Sequence, residues 1–200
     1  MKLSERVHEQ YASSRRVRVL ASHFAELIPQ NARLLDVGCG DGKVAAHIAA
    51  LRRDVEIRGT DVLVRPDTAI PVDPFDGSTL PHPDDSFDAV LFVDVLHHSD
   101  DALRLLREAI RVARQCVLIK DHTLEGWLAG PTLRFMDRVG NARHGVALPY
   151  HYWARERWDQ VFAELGLRVE HFVRDLGLYP WPASMLFGRS LHFVAHLRIP

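Results

Sequence analysis

Leu34-Leu35-Asp36-Val37-Gly38-Cys39-Gly40-Asp41-Gly42 is the stretch whose reading decides the fold. An apolar run ends in an acid, and three glycines follow at two-residue spacing. Lys43 to Leu51 comes next, with Val44, Ala45, Ile48 and Leu51 at helical spacing. The order is strand, tight glycine turn, helix N-terminus. Residues without Cβ let such a turn adopt unusual dihedrals and let a ligand approach the backbone closely. In open α/β sheets ligands bind in the crevice outside the carboxyl ends of the strands, where this turn belongs.

A dinucleotide fingerprint requires G-x-G-x-x-G. Counting from Gly38, its sixth position is Lys43, so that pattern fails and a nicotinamide-dependent reductase is disfavoured. What stands instead is G-x-G-x-G preceded by Asp36. A carboxylate there repels a pyrophosphate and suits a cationic or ammonium-bearing ligand.

Further motifs follow in order. Arg58-Gly59-Thr60-Asp61 ends a second strand in an acid, and Phe75-Asp76-Gly77 follows a short third. Ser86-Phe87-Asp88 opens a fourth strand, which leads into Val93-Asp94-Val95-Leu96-His97-His98. Over residues 11–120 the chain resembles the class I S-adenosylmethionine-dependent methyltransferases, in their type 11, ubiquinone-methyltransferase-like branch. The resemblance implies an α/β, Rossmann-like, doubly wound and mostly parallel seven-stranded sheet, with helices on both faces and an antiparallel last strand. It implies S-adenosyl-L-methionine as cofactor and S-adenosyl-L-homocysteine as product. The cofactor residues it implies are Tyr11, Asp36, Gly38, Cys39, Gly40, Asp61, Val62, Asp76, Gly77, Asp94, Val95 and His98. Among these, Asp61 would bind the ribose hydroxyls, Asp76 the adenine amino group, and His98 would pack beside the cofactor.

Two hundred residues suit one domain: 1–30 as a leading helix or lid, 31–122 as the cofactor core, 123–200 as the acceptor side with the terminal strands. A net charge of −1 offers no basic surface for nucleic acid. The N/D-P-P-Y/F element of nucleic-acid methylation is replaced by Asp94-Val95-Leu96-His97. Two cysteines make no disulfide framework, and no apolar run is long enough for a membrane span, so a cytoplasmic protein is expected.

Ser14 to Ile28 has a helical apolar face (Val17, Leu20, Ala21, Phe24, Leu27, Ile28), with Tyr11, Arg15 and Arg16 at its start placed to meet cofactor or substrate. Pro66, Pro71 and Pro74 predict an irregular connection after Asp61 in place of a helix, leading to an edge-like strand over 72–75. Phe87 to Val93 reads as a buried parallel strand. Ser99 or Asp100 is expected to cap the helix after it, and Cys116 to Ile119 is the fifth strand, delivering Lys120-Asp121-His122 to the site. Helices are expected over 132–139 and 154–165, strands over 167–173 and 190–197.

All four tryptophans and three of four tyrosines lie beyond His122. Trp127, Phe135, Met136, Tyr150 and Trp153 are expected to wall an apolar or aromatic small-molecule acceptor. Methylation of a hydroxyl or carbon acid needs a base, and histidine suits that near neutral pH. His98, His122, His144 and His151 are candidates. His122 is preferred because its strand ends on the methyl-donor side, with His144 and Tyr150 secondary. Asp121 cannot orient His122 unless the chain folds back, since neighbours on a strand face opposite ways. His192 and His196 are assigned to packing or solvent. No metal is expected, because no H-x-E, C-x-x-C or H-E-x-x-H spacing occurs. The reading is methyl transfer to a small acceptor, O- or C-methylation favoured; the alternative is a non-catalytic S-adenosylmethionine-binding or partner protein.

Overall fold

The computed structural model describes residues 3–141, 149–188 and 190–200. Seven strands form one sheet: β1 (Arg33–Val37), β2 (Glu56–Asp61), β3 (Val72–Pro74), β4 (Phe87–Val93), β5 (Ala113–His122), β6 (Arg168–Val173) and β7 (His192–Arg198). Their spatial order is β3-β2-β1-β4-β5-β7-β6. β7 runs antiparallel to both its neighbours, and the other pairings are parallel. The expected doubly wound sheet with a reversed last strand is therefore present. Strand order reverses between β1 and β4, which is where such sheets open a ligand crevice.

Neighbouring residues on the central strands feed two different cores, as a pleat buried on both faces requires. Leu35, Val37, Val90, Phe92, Val117 and Ile119 pack with α3 (Ala102–Val112) and α5 (Arg155–Glu164). Leu34, Ala89, Leu91, Cys116 and Leu118 pack with α1 (Leu3–Leu27) and α2 (Lys43–Leu51). Burying this apolar surface, at roughly 25 cal/mol per Å², is what sandwiches the sheet between helices.

The proline-bearing segment 62–71 carries no helix, and β3 is a three-residue edge strand, as its composition predicts. Some boundaries differ from expectation. The cap of α3 is Asp101, whose side chain accepts from the Arg104 N–H at 2.9 Å, not Ser99 or Asp100. Ser99 is instead tied to a short 3₁₀ turn, Leu96–His98, through its N–H to the Leu96 carbonyl. β5 begins at Ala113, directly after α3, and α4 runs from Ala129 to Asn141. A four-residue α6 (Ser184–Phe187) interrupts the loop before β7. Among the described residues no helix is long and apolar enough to cross a membrane.

Candidate active site

The glycine turn joins β1 to α2 through three left-handed residues, Gly38, Gly40 and Gly42, with φ of 69°, 60° and 71°. A Cβ on Gly38 would stand 2.6 Å from Val95 Cγ2, so the loop after β4 packs directly on this turn. The Asp61 carboxylate ties the turn down. It accepts from the Gly40 N–H and from the Leu63 N–H, each at 2.8 Å. The second-strand acid thus shapes the glycine turn, a role the sequence does not reveal.

Asp36 is buried, and its Oδ1 has no hydrogen-bond partner. Burial, with the Asp61 charge adding to it, pushes its carboxyl up to about 8. A buried carboxyl group with an unpartnered Oδ1 beside a backbone turn, which a nearby cation would ionise, fits a cofactor carrying an ammonium or sulfonium group. Burial and the same two acids raise the Cys39 thiol, which disfavours its thiolate. Val62, 63% exposed, packs so closely on Gly77 that a Cβ there would stand 3.3 Å from its Cγ1, tighter than ordinary van der Waals contact. Asp76 is exposed and accepts from the Ser78 and Thr79 N–H groups through Oδ1.

At the carboxyl ends of β4 and β5 lies a buried polar cluster. Asp94, in a left-handed conformation (φ 56°), pairs with both Lys120 and Arg16. Its burial would raise its carboxyl, but these two cations outweigh that and hold it well below the usual carboxylate range. Arg16 of the leading helix is therefore a structural partner of Asp94. Arg15 donates to the Gly177 carbonyl at 3.0 Å. Lys120, 1% exposed, also lies 3.2 Å from His192 Nδ1. Burial and that ammonium push His192 down to about 3, and its Nε2 lies 3.0 Å from the Phe187 carbonyl, so the ring is packed inside the fold as expected.

Asp121 and His122 separate as the strand pleat demands. Asp121 faces His97, with Nδ1 to Oδ1 at 2.6 Å, and accepts also from the Leu96 N–H and the His122 N–H. His97, which the sequence offers only as part of the motif after β4, carries the dyad that sequence neighbours cannot form. Burial alone would lower His97, but Asp121, Asp137 and Asp94 reverse this and raise it to about 10. His122 is 5% exposed, and its Nε2 lies 3.4 Å from Asp94 Oδ1. Burial and Lys120 hold it well below the usual imidazole range, which keeps the ring unprotonated and makes it a weak proton acceptor in the free chain. Its carbonyl accepts from the Trp158 indole at 3.1 Å.

The expected aromatic wall is not assembled. Trp127 is 84% exposed and Phe135 58%, while Trp153 packs against the α5 side of the core and edge-on to Trp158. Tyr150 is half-buried, and Tyr152, not Tyr150, reaches the cluster, its hydroxyl donating to Asp137. His151 is exposed and turns its Nδ1 toward the Ser99 carbonyl, 3.2 Å away. His98 is half-buried beside His97. Tyr11 lies on α1, and His144 lies outside the described residues. A cavity of about 470 Å³ opens instead between the ends of β6 and β7, lined by Arg174, Leu176, Tyr179, Ser184 and His192. Lys120-Asp121-His122, polar residues ending an otherwise apolar strand, are the sequence signal for the β5 side of this cluster, and no comparable signal marks Arg16 or His192.

Residues 6–171 match the family model described as a methyltransferase domain. The chain is 33% identical over 110 residues to 27-O-demethylrifamycin SV methyltransferase of Amycolatopsis mediterranei (strain S699), covering 48% of this chain and 40% of that protein. It is 30% identical over 164 residues to ajmaline N-methyltransferase of Rauvolfia serpentina, covering 76% of this chain and 49% of that protein. The chain thus spans less than half the length of either relative. A SAM-dependent methyltransferase from Aquifex aeolicus shares the fold, with a TM-score of 0.64, 17% identity, and coverage of 92% of this chain and 93% of that one. With the acid-led glycine turn and the strand order above, these matches establish that the chain belongs to the methyltransferase-domain family, in its class I, S-adenosylmethionine-dependent form.

Proposed function

We propose that this chain transfers the methyl group of S-adenosylmethionine to a small apolar or aromatic acceptor, with O- or C-methylation favoured. The observation that carries the reading is the unpartnered, buried Asp36 carboxylate set beside a turn of left-handed glycines pinned by Asp61. The two sequence relatives, a demethylrifamycin methyltransferase and an ajmaline N-methyltransferase, act on small molecules, which supports a small-molecule acceptor.

Asp36 would face the cofactor's cationic end. The N–H groups and bare backbone of Gly38, Cys39 and Gly40 would flank it, with Asp61 on the ribose hydroxyls. Val62, Asp76 and Gly77 would take the base, and Asp94, Val95 and His98 would close the side toward β4. Tyr11 would approach from the leading helix. In this division residues 1–30 act as a lid, 31–122 as the cofactor core and 123–200 as the acceptor side of a single domain. The cofactor supplies an activated methyl on a sulfonium, so the protein's main task is to hold donor and acceptor in line, where orientation alone can supply about 7–11 kcal/mol. The acceptor would enter by the cavity beside His192, and an acceptor hydroxyl would give its proton to the neutral His122, with His144 and Tyr150 as secondary bases.

The test is calorimetry with S-adenosylhomocysteine, followed by radiolabelled methyl transfer to a panel of phenols, enolisable carbonyls and amines. Binding with turnover of phenols or carbon acids is expected. Failure to bind would overturn the cofactor site, and binding without turnover of any acceptor would favour a non-catalytic cofactor-binding protein.

A further inference from the structure

We propose that His97 Nε2, His98 Nδ1 and the Asp137 carboxylate form a site for a divalent transition metal ion of the zinc class. The three residues come from the 3₁₀ turn after β4 and from α4, and their candidate ligand atoms lie within 4.8 Å of one another. His97 Nε2 and His98 Nδ1 are both buried without a hydrogen-bond partner. The His97 side chain is 1% exposed. Its Nε2 stands 3.3 Å from Asp137 Oδ2, so in the free chain the two form an ion pair whose proton zinc would displace. Two ligands on a tetrahedral zinc, each bonded at about 2.0–2.2 Å, are separated by about 3.3–3.6 Å. The His97–Asp137 pair is therefore spaced as two ligands on one ion, and the widest span in the set is about 1 Å of side-chain adjustment from closing.

The surroundings are those of a metal-binding histidine rather than of a stray one. Asp121 holds Nδ1 of His97 at 2.6 Å and is itself fixed by the Leu96 and His122 N–H groups, which sets the ring orientation and leaves Nε2 facing Asp137. Such a carboxylate behind the ring is the usual support of a ligating imidazole. Asp137 has the corresponding support from the Tyr152 hydroxyl. A neighbouring set, Asp94 with His97, Asp121 and His122, offers ligand types too. Its carboxylates are already satisfied: Asp94 by Lys120 and Arg16, and Asp121 by its three donors. The Lys120 ammonium beside that set also repels a cation, so the ion belongs on the Asp137 side.

Two imidazoles and one carboxylate suit zinc over magnesium, which prefers an all-oxygen octahedron. Three protein ligands leave a coordination position open, where a bound hydroxyl would lose its proton near neutral pH. That consequence rests on the methyl-transfer reading, whereas binding of the ion does not.

The chelator-stripped chain should be titrated calorimetrically with zinc chloride, and with cobalt(II) by visible absorption. One equivalent of zinc is expected, with an intense tetrahedral cobalt spectrum and no comparable magnesium binding. His98→Ala and Asp137→Asn should each weaken zinc by at least tenfold, and Asp121→Asn by roughly 10–100-fold. His98 is half-buried, so its variant remains informative if Asp137→Asn fails to fold, as read by circular dichroism. Absence of zinc binding by the folded wild-type chain would overturn the proposal. So would zinc binding that folded His98→Ala retains in full, which would place the ion on other histidines.

Discussion

Replacing Asp36 by asparagine should abolish a proton release that accompanies cofactor binding. Burial and the Asp61 charge raise the Asp36 carboxyl to about 8. At pH 7 the free protein would then carry that group about nine-tenths protonated. A cation settling against its unpartnered Oδ1 favours the carboxylate, so binding of S-adenosylmethionine near pH 7 should release close to one proton. Affinity should rise about tenfold per pH unit below pH 8 and level off above it. Titration calorimetry in phosphate and in Tris, whose ionisation enthalpies differ, reads the proton count directly. Asp36→Asn should release none at this site, flatten the profile, and lose a charge-assisted contact of about 1.5–3 kcal/mol, or roughly 10–150-fold in affinity. The free protein gives an independent check. Since the folded-state value lies above the unfolded one of about 3.9, the folded chain binds the extra proton. Stability conferred below pH 4 is therefore lost as pH rises toward 8, by about 1.4 kcal/mol per unit. Urea denaturation at pH 5.5 and 7 should show Asp36→Asn gaining on the wild type as pH rises. Zero proton release by the wild type and a flat affinity from pH 6 to 9 would refute this account of Asp36.

Three further outcomes are expected. Gly38→Ala places a Cβ 2.6 Å from Val95 Cγ2 at a φ of 69°, and should abolish binding of S-adenosylhomocysteine, which calorimetry would detect. Asp61→Ala removes the acceptor for the Gly40 and Leu63 N–H groups and should weaken the same ligand by roughly one to two decades, about 1.5–3 kcal/mol. His122→Ala should leave that affinity nearly intact while lowering turnover by about 10²–10⁴-fold; a lower melting temperature with normal turnover of the folded fraction would make the residue structural instead.

The elements legible in the sequence are those whose cause is local. The strand, glycine turn and helix over 33–51 follow from apolar spacing and from backbone angles that only glycine adopts without cost. The prolines of 66–74 rule out a helix for an equally local reason, their fixed φ and missing N–H. Phe87 to Val93 is apolar at all but one position, as a strand buried on both faces must be. Asp36 and Asp61 could be named as candidates from the resemblance to known methyltransferases, in the motifs at the glycine turn and the second strand. What Asp61 does to the glycine turn could not, since its Gly40 contact joins residues 21 apart.

The polar cluster was decided by tertiary structure alone. The pleat alternation correctly kept Asp121 from His122, but only the folded chain supplies His97 as the partner of Asp121, and Arg16 and Lys120 as the partners of Asp94. These pairs are 24, 78 and 26 residues apart, beyond any periodicity. The aromatic residues after His122 show the same limit. Trp127, an expected pocket wall, is 84% exposed, while Trp158 of α5 is 2% exposed in the core. Composition determines that such side chains favour burial; which of them finds a surface to be buried against depends on how distant segments meet.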